Sequence, residues 1–306
     1  MAGFLLKRTL WLFITLWLVI TLAFFLTRSI KGGPFDAEHK LPPEIERNIR
    51  ARYQWDEPLL TQYLAYLDSV VLHLDLGPSM KLRDYSVNRV ISETFPRSAL
   101  LGALALLFAL GAGISTGILA ALHRGKLADS GLMTAAAMGI AMPNFVFASL
   151  LIILFAFLMP LFPAAGFGSI KHMILPALAL GAPFAANIAR LTRSGMLETL
   201  SEDYILFARA KGLPEHRVIL RHALKGAMLP VISFLGPATA GILTGSLVIE
   251  KIFAIPGMGD LFIDGAMNRD HTLTMGIIIL YTGLVYMLNF IVDVVYTLID
   301  PRIKLG

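Results

Sequence analysis

Long apolar stretches alternate along this chain with short, charge-dense ones. Six of the apolar stretches reach the ~20 helical residues needed to cross a hydrocarbon core about 30 Å thick. They lie at 9–27, 98–122, 132–158, 173–190, 227–249 and 272–292, and Arg190, closing the fourth, is the one charge inside them. Open strands cannot satisfy their backbone groups in lipid, so the pattern predicts helices. The fourth stretch is short and carries Pro176 and Pro183, which predicts a kinked helix. The fold class expected is therefore an all-α integral membrane bundle of six transmembrane helices.

Two polar stretches stand apart. The first, 31–96, mixes both charge signs. Gly32-Gly33-Pro34 breaks the first span, and Pro42-Pro43-Glu44 opens a helix. Pro58 opens another, with Leu59, Leu60, Tyr63, Leu64 and Leu67 on one stripe, and Gly77-Pro78-Ser79 makes a turn. A small helical cap on the outer surface is expected. The second, 201–230, begins with Ser201 as a helix N-cap and Glu202 and Asp203 in the first turn, where the helix dipole favours acids. Tyr204, Phe207, Ala208 and Lys211 share a face. Gly212 fits a left-handed stop, and Pro214 the start of a new helix. In that second helix Arg217, Arg221 and Lys225 form a basic row beside Leu213, Leu220, Leu224 and Met228. The organisation expected is a first span at 1–30, an external segment at 31–96, a five-helix core at 97–298 containing the loop 201–230, and a tail at 299–306.

Composition agrees with a membrane protein. Hydrophobic residues make up 56% and charged residues 15%, against about 25% charged in soluble domains. The net charge of +5 calls for no nucleic-acid partner, because Lys/Arg bias in cytoplasmic loops alone makes membrane proteins basic. Lys7 and Arg8, Arg124 and Lys126, the bases from Arg193 to Lys225, and Arg302 and Lys304 all fall on one side of the six-span layout, which places both termini in the cytoplasm. The run after Arg8 continues to Thr27, longer than a signal-peptide core, and reads as a retained span. Cysteine is absent, and the seven histidines form no H-E-x-x-H motif.

Candidate chemistry is sparse. No G-x-x-x-x-G-K-[ST] loop occurs, since Gly125-Lys126 has Ala120 before it and Leu127 after it. No enzyme, cofactor or metal is expected. The spans hold too few ionisable groups for a proton relay; Asp293 lies near the end of the sixth. Gly113-x-x-x-Gly117 and Gly241-x-x-x-Gly245 suit close helix packing within the bundle. Asn144, Asn187, Thr239, Thr244, Ser246 and Asn289 are candidates to line a translocation path, or alternatively to hydrogen-bond between helices. On pattern alone the loop 201–230 is either a basic surface on anionic headgroups or a docking element for a soluble protein.

The loop resembles the cytoplasmic "EAA" loop of ATP-binding-cassette importer permeases, in the version found in peptide permeases. The matching residues are Asp203-Tyr204-Ile205, Ala208-Arg209-Ala210-Lys211-Gly212-Leu213 and Arg221-His222-Ala223-Leu224. Leu206 and Phe207 depart from the family's usual Arg-Thr. Thr244-Gly245-Ser246 through Glu250, Pro256-Gly257-x-Gly259, Val292-Asp293-x-x-Tyr296 and Asp300-Pro301-Arg302 extend the resemblance over the chain. The external residues Gly33-Pro34-Phe35, Leu41-Pro42-Pro43-Glu44 and Asp84-Tyr85-Ser86-Val87-Asn88 are similar to B-type subunits of oligopeptide permeases.

The resemblance implies a non-catalytic subunit of the bacterial cytoplasmic membrane that pairs with a second homologous permease. It implies two ABC ATPase subunits and an extracytoplasmic peptide-binding protein as partners, with peptides passing inward. It also implies that Asp203, Tyr204, Phe207, Ala208, Arg209, Ala210, Lys211, Gly212 and Arg221 couple to the ATPase. Dipeptide, glutathione or nickel cargo is the alternative within the family. A secondary transporter driven by an ion gradient, and a scaffold or insertase, are the alternatives outside it.

Overall fold

The computed structural model describes residues 2–29, 57–82 and 85–299. The expected turn at Gly32-Gly33-Pro34, the helix opening at Pro42-Pro43-Glu44 and the tail from Asp300 lie outside the described residues. Among them the chain is helical: α1 (Ala2–Ser29), α2 (Leu59–Leu72), α3 (Val87–Leu122), α4 (Leu127–Ala141), α5 (Asn144–Ile152), α6 (Ile170–Thr199), α7 (Asp203–Ala210), α8 (Glu215–Arg217), α9 (Leu224–Ala227), α10 (Leu229–Ile252), α11 (Met258–Met267) and α12 (His271–Ile299). A π-helical turn, Ile153–Leu158, continues α5, and another, Val218–Ala223, joins α8 to α9. Helices α1, α3, α6, α10 and α12 are each long and apolar enough to cross a membrane.

The third expected span is not one helix. α4 and the α5 segment are bent by 109° relative to one another at the break between them. Proline explains the break: Pro143 has no N–H to donate and disfavours helical backbone in the residue before it. Met142 accordingly sits at φ −84°, ψ 127°. The fourth span is longer than expected. α6 runs through Pro176 and Pro183 to Thr199, taking in Arg190 and Arg193. Asn187 Nδ2 donates to the Pro183 carbonyl at 2.9 Å inside it.

The chain divides into two compact units, Met1–Pro96 with Gly257–Tyr286 and Arg97–Pro256 with Met287–Gly306. In the first, α2 lies against α1. Tyr63 OH and Thr21 Oγ1 are 2.8 Å apart, and Phe24 stacks edge-on to Tyr63. The Thr27 hydroxyl meets Met275 Sδ of α12, and Tyr286 OH donates to the Arg8 carbonyl. Asp270 is a buried hub, receiving the Ser79 hydroxyl and the backbone N–H groups of Met80, Lys81 and Leu273. It fastens the loop after α2 to the start of α12 and caps that helix.

The second unit is built around α6, half of whose apolar window is buried. A core of Leu101, Ala105, Leu175, Leu180, Ile242, Ile249 and Phe253 packs α3, α6 and α10 together. Glycine sets the approach of α3. A Cβ on Gly113 would lie 2.7 Å from the Ala185 carbonyl oxygen, and one on Gly117 would lie 2.6 Å from that of Ala189. The Gly113-x-x-x-Gly117 motif thus packs within the chain.

Near the opposite ends of α4 and α6 an ion pair appears. Arg193 donates to Asp129 through Nε at 2.6 Å and Nη2 at 2.7 Å, and the Gly125 N–H adds a third bond at 3.0 Å. By sequence alone Arg193 reads as a loop base. The longer α6 brings it against Asp129 instead, which is only 4% exposed.

Candidate functional site: the segment between α6 and α10

α7 starts one residue later than the sequence suggested. Glu202 occupies the N-cap position with extended backbone, whereas the Ser201 hydroxyl turns back to the Glu198 carbonyl at 2.6 Å. The end of α7 is as expected. Gly212 sits at φ +75°, its N–H bonds the Arg209 carbonyl, and the Leu213 N–H reaches the Ala208 carbonyl. These two bonds define a Schellman stop, which needs the left-handed backbone that glycine adopts without a Cβ penalty. Pro214 then caps α8 with extended backbone.

α7 has two faces. Ile205 and Ala208 point inward, into a core with Ala121, Met196, Val218, Ala223 and Ala227, against which Leu213 and Leu224 pack. Tyr204, Leu206 and Phe207 point outward, 48%, 56% and 62% exposed. Arg209, Ala210, Lys211 and Gly212 continue the outer side. Ala208, expected on the Tyr204/Phe207 face, is instead buried by its own chain. The Lys211 ammonium lies 4.5 Å over the Phe207 ring, a cation–π contact. The basic row of Arg217, Arg221 and Lys225 is exposed as well. Val218 and Ala223 of the π turn face the core, and Leu220, expected on one apolar face with Leu213, Leu224 and Met228, is 60% exposed.

The segment is fixed firmly to α6. A Cβ on Gly195 would lie 2.7 Å from the Ala227 carbonyl oxygen, and one on Gly226 would meet the Thr199 and Tyr204 hydroxyls at 3.1 and 3.3 Å. Partial burial, and then the Glu202 charge, push the Tyr204 phenol up. Arg209 spans the Gly212 turn to Glu215, with Nη2–Oε1 at 2.7 Å and Nε–Oε2 at 3.2 Å. Those hydrogen bonds hold the Glu215 carboxyl below the usual range. A depressed carboxylate contributes stability above its unfolded pKa and loses it as pH falls through the folded one. Both groups are well exposed, so Glu215→Gln should cost under about 1 kcal/mol at neutral pH. Thermal unfolding should show that small difference at pH 7 and none on the acid side of the carboxylate range.

Of the six residues proposed for a translocation path, four bond carbonyls of their own helix: Asn187, Thr239, Thr244 and Ser246. Asn289 faces Gly236, where an added Cβ would lie 2.6 Å from its Oδ1. Asn144 opens α5 directly after the Pro143 break and is half-buried. Ser246 is buried and Thr244 exposed. An apolar cavity of about 380 Å³ lies between α3, α4, α5 and α6, lined by Phe108, Met138, Met142, Phe147 and small residues of α6. Among the described residues no group of three or more His, Cys, Asp or Glu could hold a metal.

A bundle of membrane-length helices that presents one amphipathic, glycine-stopped helix between two of its spans defines a polytopic membrane subunit. Residues 113–305 match the family described as binding-protein-dependent transport system inner membrane component. The chain is 47% identical to the oligopeptide transport system permease protein OppB of Escherichia coli K12 over 306 residues, covering 99% of this chain and all of that protein. It is 45% identical to the dipeptide transport system permease protein DppB of Bacillus subtilis 168, covering 100% of this chain and 99% of that one. A crystal structure of an amino acid ABC transporter aligns over 71% of this chain and 95% of its own at a TM-score of 0.51 and 13% identity, which shows a shared fold. The chain belongs to the binding-protein-dependent transport system inner membrane components, the permease subunits of ABC importers.

Proposed function

We propose that this chain is one of two homologous permease subunits that together pass oligopeptides inward across a bacterial cytoplasmic membrane. An extracytoplasmic binding protein delivers the peptide, and two ABC ATPase subunits hydrolyse the ATP; the chain itself is not an enzyme. Both termini face the cytoplasm, and residues 31–96 face outward. The charge asymmetry of the loops supports that orientation. The observation that carries the reading is α7. Its inner face is locked to the bundle by Ile205 and Ala208, while Tyr204, Leu206 and Phe207 stay open to a partner. A helix held this way transmits a push, because closing of the ATPases can bias the bundle only through contacts that differ between states. Asp203, Arg209, Ala210, Lys211 and Arg221 surround the aromatic patch as its polar rim, and Gly212 fixes where the second helix leaves.

The test uses Gly212→Val in the assembled transporter. A Cβ there meets no atom within 4 Å, so the effect comes from the left-handed backbone, at about 1–2 kcal/mol. Peptide-stimulated ATP hydrolysis should fall roughly tenfold while the chain still inserts, since 1.4 kcal/mol is a factor of ten. Unchanged stimulation would remove the coupling role. The 45% identity to a dipeptide permease favours dipeptides as the second cargo reading. Competition of labelled pentapeptide uptake by unlabelled dipeptides separates the two.

A further inference from the structure

The 14 residues of α2 were expected to form a cap on the outer surface, with one apolar stripe. The structure splits that stripe. Gln62, Tyr63 and Val70 are buried, and Tyr63 and Tyr66 pack on Phe24 of α1. Leu60, Leu64 and Val71, 64%, 55% and 56% exposed, lie on a different face, with half-buried Leu67 between them. At 100° per residue these four fall within one narrow arc, and Thr61, Asp68 and Ser69 occupy a third sector, shared with Ala65 and, at the helix end, Leu72.

Depth decides what covers the aliphatic face. Tyr63 meets Thr21, Phe24 and Phe25, which stand four to eight residues before the end of α1 at Ser29. At 1.5 Å per residue the seam lies about 6–12 Å inside that end. The apolar span Leu6–Ser29 is 24 residues, about 36 Å, so it overhangs a 30 Å hydrocarbon core by about 3 Å at each end. The seam is then about 3–9 Å below the hydrocarbon boundary. A helix of 14 residues is too short to span, and its polar sector gives it a side to turn to the headgroups. The exposed face carries Leu and Val and no Arg, Tyr or Trp, the residues that anchor protein interfaces, because both tyrosines are spent on α1.

We infer that α2 is a membrane-embedded interfacial helix whose Leu60/Leu64/Val71 face is covered by lipid acyl chains. The orientation proposed above puts it in the outer leaflet; the embedding itself does not depend on that orientation or on the cargo. The chain has no cysteine, so single-cysteine variants carry one spin label each. Leu60→Cys, Leu64→Cys, Val71→Cys and Asp68→Cys are labelled in the full-length permease, assembled with its partners in lipid nanodiscs. Leu22→Cys, on the exposed face of α1, gives the lipid reference. Collisions with oxygen should exceed those with a water-soluble nickel chelate at positions 60, 64 and 71, as at 22, and the order should reverse at 68. Nickel access at position 64 equal to that at 68 would place α2 in water and overturn the inference. Protection of position 64 from both reagents would overturn it too, by showing a protein cover.

Discussion

Replacing Asp129 with Ala should produce a large loss of stability. Arg193 gives Asp129 two short N–H···O bonds, and Gly125 gives a third. The carboxylate is almost wholly enclosed, and its removal leaves a guanidinium only 28% exposed with its main acceptor gone. Breaking one side of such a pair costs far more than the pair itself is worth, because the remaining charge stays desolvated. The melting temperature of the solubilised protein should drop by about 10 °C. Replacing both partners, Asp129→Leu with Arg193→Met, should recover most of that drop, since buried ion pairs exchange for apolar pairs at little cost. Single and double variants melting alike would show that the charges are not enclosed as described.

Gly117 should be nearly as intolerant. A Cβ at this position would fall 2.5 Å from Thr192 Cβ and 2.6 Å from the Ala189 carbonyl oxygen. The second neighbour is backbone, so no side-chain rotation relieves the overlap, and α3 must move away from α6. Gly117→Ala should destabilise by about 1–3 kcal/mol, the usual cost of overpacking, and Gly117→Leu should fail to accumulate. Gly111 is the control on the same helix, because a Cβ there meets nothing within 4 Å. Gly111→Ala should be neutral or slightly stabilising, as helical glycine is about 0.5–1 kcal/mol worse than alanine. Equal behaviour of the two alanine variants, read from melting temperature and yield, would remove the close-packing argument.

The parts of this molecule that sequence made legible are those with a local cause. Apolar runs long enough to cross lipid announce helices, because nothing else satisfies the backbone there. Gly212 followed by Pro214 announces a helix stop and a restart, and the backbone follows. Pro143 carried the same kind of signal, but an uninterrupted apolar composition on both sides concealed it. What was not legible depends on distance in sequence. Asp129 and Arg193 are 64 residues apart, and each lies at a span end where a charge reads as a loop residue. The two faces of α2 are another case, since its leucines look equivalent until α1 takes the tyrosine side. The partners of polar residues in the spans are not legible for another reason: Thr and Ser hydroxyls can return to their own helix and need no neighbour.

The length of α6 has a mechanical meaning. From Pro183 to Thr199 it is about 24 Å of helix without a proline, and its far end is locked to α9 at Gly195 and Gly226. Such a rod has the geometry of a lever whose longer arm ends beside α7 and whose weakest point is the proline pair, where backbone hydrogen bonds are missing. A tilt of about 5° at that point displaces the α7 end by about 2 Å over this length. On the coupling role proposed for α7, a modest movement at Phe207 would be geared into a rotation at Pro183, level with the small residues that line the apolar cavity.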